Sequence, residues 1–164
     1  MNLLNQNHKT EQTVAALNEL LANLHIHYQK LRNYHWNVQG EHFFNLHNKF
    51  EEMYNAVKIR IDEVAERILT LGSHPVSTLS EYLEASMIKE TRYGLSDTEM
   101  VESISGDIRI LVMKMRAVLE HSNRDYDNGT EDMITGYIAA SEKDHWMLSA
   151  FLNRKLEPAK LHMN

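Results

Sequence analysis

Leu17 to Val38 reads LNELLANLHIHYQKLRNYHWNV. Apolar side chains recur at Leu17, Leu20, Leu21, Leu24, Tyr28, Leu31 and Val38 in steps of three and four, the period of one buried helix face. This first helix ends near Gly40. A second stripe, Phe43, Phe50, Tyr54, Val57, Ile61, Val64, Ile68 and Leu71, predicts a second helix that stops at Gly72. Each is expected to span about 30 residues, about 45 Å at 1.5 Å per residue. After Pro75, Ser77 and Thr78 offer caps for a short helix carrying Leu79, Tyr82 and Leu83. Ser96 followed by Glu99 forms a capping-box pattern ahead of a third long stripe through Val101, Ile104, Ile108, Leu111, Met115 and Val118, fading near Ser122. Thr130 to Leu156, with Ile134, Tyr137, Leu148 and Phe151, predicts the last helix, stopped before Pro158. Four long helices with one long second-to-third connection describe an all-α four-helix bundle, and a short helix in that connection allows the crossover of ferritin-like folds. One domain over residues 1–164 is expected, with tails over 1–9 and 157–164.

Composition agrees. Six Gly and two Pro in 164 residues are few, as long uninterrupted elements require. Gly40, Gly72, Gly94 and Gly129 fall between periodic segments, and no GxGxxG or Walker pattern exists. No apolar run approaches the roughly 20 residues that span a bilayer, and Met1 to Gln12 lacks the basic start and apolar middle of a signal peptide. With no Cys, disulfides, thiolate catalysis and cysteine-held metals are excluded, so any metal must be held by nitrogen and oxygen. A formal charge of -6 argues against a generally basic, phosphate-binding surface. Ten histidines are the oddity.

Two of them keep the rhythm of the stripes. His35 continues 28, 31, 35, 38, and His47 lies between Phe43 and Phe50. Either alone reads as a core histidine satisfied by a hydrogen bond. A tight turn at Gly40 sets the two face to face across a hairpin, with Glu51 one turn beyond His47. Asp62 and Glu66, also one turn apart, read either as a solvated acidic edge partnered by Lys58 and Arg67 or as metal ligands, because neighbouring like charges repel unless a cation lies between them. His47 and Asp62 stand 15 residues apart, about 22 Å along one helix axis. Ligands of one metal sit within roughly 2.0–2.6 Å of it, so a single straight helix cannot join its own two clusters. Two chains packed antiparallel about a two-fold axis can, and two identical sites arise per pair. Imidazole with carboxylate suits Fe, Mn or Zn, and the carboxylates favour a ferric product. Trp36, beside His35, reads as a bulky residue closing the hairpin or as a redox-active neighbour.

In His35–Glu51, HWNVQGEHFFNLHNKFE, and Ile61–Gly72, IDEVAERILTLG, the chain resembles the Dps family, the miniferritins named as DNA-binding proteins from starved cells. The resemblance implies a hollow homododecamer that oxidises Fe(II) at intersubunit ferroxidase centres, preferring hydrogen peroxide to dioxygen, and stores ferric mineral inside. It implies protection of DNA from iron and peroxide, and a cytoplasmic location with nucleoid association as a further option. By residue it carries His35 and His47 as ligands from one subunit and Asp62 and Glu66 from its two-fold mate. Glu51 stands where the family has Asp or Glu. Acidic pores on three-fold axes would fall to Asp127, Glu131 and Asp132, which read equally as ordinary partners of the helix dipole at the start of the last helix. The basic tail of DNA-binding members is missing: the first 12 residues offer only Lys9, and the end offers Arg154, Lys155 and Lys160. Twelve copies at -6 carry -72 in all, so weak or no direct DNA binding is expected at neutral pH. Two other readings remain: a nonenzymatic DNA-compacting nucleoid protein, and an ordinary ferritin with an intrabundle di-iron site, of which Glu142 and His145 supply one Glu-x-x-His pair.

Overall fold

The computed structural model describes residues 3–153, with side chains from Thr10 onward. Five helices follow in order: α1 Leu3–Asn37, α2 Phe43–Thr70, α3 Leu79–Ala85, α4 Asp97–Asp125 and α5 Asn128–Phe151, with no strand among the described residues. The chain is an all-α four-helix bundle whose long α2-to-α4 connection carries the short α3. None of these helices is long and apolar enough to cross a membrane.

Local signals set most of the boundaries. Ser96 and Glu99 form the expected reciprocal box at the start of α4, and Thr78 and Glu81 form a second at α3. Hydrogen bonds to their own caps hold the Glu81 and Glu99 carboxyls below the usual carboxylate range. Gly40, at φ +100°, makes the turn between α1 and α2. Two ends differ from the sequence expectation. Helix α1 begins at Leu3, so residues 3–9, expected as tail, lie within it. Helix α5 stops at Phe151 instead of Leu156, because Asn153 turns left-handed at φ +53° and closes the helix from its C-terminal side. The C-terminal tail, 157–164, lies outside the described residues.

The stripes meet in one core. Leu17, Leu20, Leu21, Leu24 and Leu31 of α1 are wholly buried, against Phe50, Val64 and Ile68 of α2 and Val101, Ile104 and Met115 of α4. Three α1 asparagines tie down the crossover. Asn23 Oδ1 accepts from the backbone N–H of Met87 and Ile88 at 3.0 and 3.1 Å and from Ser86 Oγ at 3.2 Å. Asn18 Oδ1 accepts from Val76 N–H at 2.8 Å, and Asn33 Nδ2 donates to Thr91 O at 2.6 Å. Between α1 and α4, Asp107 is buried with two partners, Lys30 Nζ at 2.9 Å and His27 Nδ1 at 3.2 Å. Long side chains bridge α2 to α5: Lys49 to Asp144, Arg60 to Ser141, Tyr137 to Glu63, and Arg67 to Asp127 and Thr130. Burial and the Glu63 carboxylate push the Tyr137 phenol well above its ordinary range.

Candidate metal centre

The hairpin at Gly40 brings the end of α1 beside the start of α2 and closes a reciprocal pair. His35 Nδ1 lies 2.8 Å from His47 O, and His47 Nδ1 lies 2.8 Å from His35 O. The rings stack with centroids 3.8 Å apart and planes 23° from parallel. A carbonyl oxygen can only accept, so both Nδ1 atoms carry their hydrogens as donors. In the neutral ring that leaves each Nε2 with its lone pair free. This is the tautomer and orientation a metal-binding imidazole needs, fixed here by backbone acceptors. Phe43 stacks on His47 at 5.0 Å, and Tyr54 sets its edge against His35 at 5.4 Å. The Tyr54 hydroxyl donates to the exposed Glu51 carboxylate, at Oε1, at 3.4 Å. Burial comes first among the causes that raise the Tyr54 phenol, followed by Glu51.

Trp36 does not close the hairpin as a packed residue. It is 57% exposed, with the Arg32 guanidinium 4.8 Å above its ring. The same guanidinium stands 5.4 Å over Tyr28, whose ring meets Tyr54 edge-on at 6.0 Å.

Asp62 and Glu66 are exposed, and neither forms an ion pair or hydrogen bond among the described residues. The two cations expected to partner them do otherwise: Arg67 turns to Asp127 and Thr130, and Lys58 is unpaired among the described residues. At 100° per residue, His47, Glu51, Asp62 and Glu66 fall within about 100° of the α2 circumference. One open face therefore carries both clusters, imidazole near its start and carboxylate near its end. Among the described residues no three His, Asp or Glu side chains of the one chain converge on a point that could hold a metal ion.

The three acids at the start of α5 part company. Asp127 caps the helix by accepting from Thr130 N–H and pairs with Arg67, tying α5 to the end of α2. Burial pushes its carboxyl up, but the Thr130 hydrogen bonds and the Arg67 charge outweigh this and hold it below the ordinary carboxylate range. Glu131 is half-buried and Asp132 is exposed. Of the Glu142 and His145 pair, Glu142 faces solvent and accepts from Arg116 at 3.0 Å, while burial and Arg109 lower the His145 imidazole.

Sequence spacing pointed to His35, His47, Glu51, Asp62 and Glu66, of which the structure brings His35 and His47 together and leaves Asp62 and Glu66 apart from them. The spacing missed Tyr54, whose placement in the apolar stripe concealed a hydroxyl directed at Glu51, and it left open which ring nitrogen of each histidine is free.

A ferritin-like domain model matches residues 14–156. The chain is 42% identical over 144 residues to DNA protection during starvation protein 2 of Bacillus anthracis, covering 88% of this chain and 99% of the relative. It is 43% identical over 143 residues to a DNA protection during starvation protein of Brevibacillus brevis, covering 87% and 96%. Among solved structures it is similar to a Vibrio cholerae Dps protein, described as a member of a broad superfamily of ferritin-like diiron-carboxylate proteins. The TM-score is 0.86 at 41% identity, over 88% of this chain and 91% of the other.

Proposed function

The chain belongs to the Dps family of ferritin-like proteins, and from that premise we propose that it is a ferroxidase that takes Fe(II) as substrate at sites completed between subunits. Hydrogen peroxide is the preferred oxidant over dioxygen: two ferrous ions give one electron each, and peroxide leaves as water. The ferric product is stored as mineral inside a homododecameric shell. Removing iron and peroxide together protects DNA and the cell, in a cytoplasmic setting.

One observation carries this reading. Two imidazoles are locked with their Nε2 lone pairs free, and an unpaired carboxylate pair lies about 22 Å away on the same open face of α2. One chain thus offers two half-sites. An antiparallel α2–α2 pairing about a two-fold axis sets the His35 and His47 half of one chain against the Asp62 and Glu66 half of the other, with Glu51 beside them. The carboxylates supply the negative charge that a ferric ion needs more than a ferrous one, and the neutral imidazoles fix where the cations sit. Zn or Mn can occupy the same donors. Glu131 and Asp132 are the acids at the start of α5 left to draw cations toward an entry pore, since Asp127 is held by Arg67.

The experiment is peroxide-driven oxidation of Fe(II) added without oxygen to the native assembly, against the His35→Ala, His47→Ala double variant of equal size. Loss of the rapid phase supports the reading; an unchanged rate removes it. Direct DNA binding is weak or absent at neutral pH on this account, because a shell at -6 per chain repels phosphate. Tight complexes in a low-salt gel shift at pH 7.5, with no added divalent cation, would instead favour a DNA-compacting role.

A further inference from the structure

The open face of α2 carries one residue that neither half-site uses. Lys58 lies between the clusters, about 20° round the helix from His47 and about 40° from Asp62. It is exposed and has no ion pair or hydrogen bond among the described residues. The other cations of α2 are engaged on its α5 side. Lys49 pairs with Glu52 and Asp144, Arg60 donates to Ser141 and lies over Tyr137, and Arg67 pairs with Asp127. Lys58 is therefore the cation that α2 presents to the face holding Glu51, Asp62 and Glu66. It stands one turn before Asp62, about 6 Å along the axis. With the lysine on the N-terminal side, that is the weaker order for a helical ion pair. In the single chain the ammonium forms no ion pair with Asp62 and is left to the open face.

On the two-fold pairing proposed above, the axis crosses α2 midway between residues 47 and 66, between Ala56 and Val57. Lys58 then lies within a turn of the axis, beside Asp62 of its own chain and facing the segment that leads to Glu51 of the partner subunit. Each site without a metal collects three carboxylates, and the two sites share one interface. Like charges gathered in this way destabilise the contact that assembles them. We propose that Lys58 is the resident counter-ion of the metal-free site: it holds the carboxylates together before loading and opposes an incoming cation, so that it sets how much cation the site demands. It is a positioning residue, acting through Asp62 and Glu51.

The test uses the whole assembly stripped of metal, with Zn(II) as a redox-silent probe. Lys58→Gln binds Zn(II) about three- to tenfold more tightly than wild type at low salt, a gap that narrows at high salt as the charge is screened. The same variant without metal has a lower thermal midpoint, and added Zn(II) restores it. Lys58→Arg, which keeps the charge, behaves as wild type in both. Equal or weaker Zn(II) binding by Lys58→Gln overturns the proposal. The His35→Ala, His47→Ala variant separates the two readings. If it loses Zn(II) while Lys58→Gln binds as wild type, the role of Lys58 alone falls; if it binds as wild type, the metal site itself is misplaced and both fall.

Discussion

His35 and His47 take their hydrogen-bond partners from each other's backbone, and this has a consequence for substitution. Alanine at one position leaves the carbonyl that orients the other ring, so single variants remove one donor without releasing its neighbour. Binding to the folded state stabilises it, by about 2.7 kcal/mol at a ligand concentration 100 times the dissociation constant. The rise in thermal midpoint on adding Zn(II) should shrink in each single variant and vanish in the double, as differential scanning calorimetry would show. Asp127 has a different signature. Its folded carboxyl is held below its unfolded value, so the stability it contributes is present above the ordinary carboxylate range and is lost as pH falls through the lowered value. Asp127→Asn should therefore be less stable than wild type at pH 6 and should lose less on acidification below about pH 4, in denaturant midpoints measured across that range. At this scale the sequence was legible where spacing repeats on one helix, as in placing Asp62 and Glu66 one turn apart on α2. It was silent on His27, because the residue that gives it a role, Asp107, is 80 positions away on another helix. It was silent too on the Arg67 partner of Asp127, which lies 60 positions away on α2.

The helices themselves were mostly readable, since stripe, cap and turn are local. Ser96 with Glu99 and Gly40 marked their boundaries directly, whereas the end of α5 depended on the backbone at Asn153, which no periodicity records. The crossover could be foreseen as a long connection, but not what fixes it. Asn23 looks like an ordinary polar position in an apolar stripe, yet its side chain is fully buried under Ser86, Met87 and Ile88. Asn23→Ala removes the acceptor of the Met87 and Ile88 backbone N–H groups, while the Ser86 hydroxyl keeps Ile88 O, at a cost of about 2–4 kcal/mol. The expected result is a lower urea midpoint and faster amide exchange over residues 86–88, with helix content retained. At the other end of the bundle, a methyl group on Gly129 would lie 3.1–3.3 Å from the Arg67 guanidinium. Gly129→Ala should shift the Arg67 guanidinium by a few tenths of an ångström against Asp127 and Thr130, and so be less stable than Gly136→Ala, which meets nothing within 4 Å.

In the whole molecule, the length of α2 decides the outcome. Its imidazole and carboxylate ends are too far apart to serve one ion, and the face that carries them is open in a single chain. The proposed shell should draw cations and repel nucleic acid, with iron uptake slowed as salt screens the proposed pore acids Glu131 and Asp132. The most direct measurement mixes two inactive subunits: one with His35→Ala and His47→Ala, the other with Asp62→Asn and Glu66→Gln. Dissociated, combined in equal amounts and reassembled, they form mixed two-fold pairs in which one of the two sites regains every ligand. Site completion between subunits predicts that about a quarter of the native Zn(II) sites and peroxide-driven iron oxidation return, from two parents that show neither. Assemblies that remain as inactive as their parents, at the same size and with mixing verified, would contradict it.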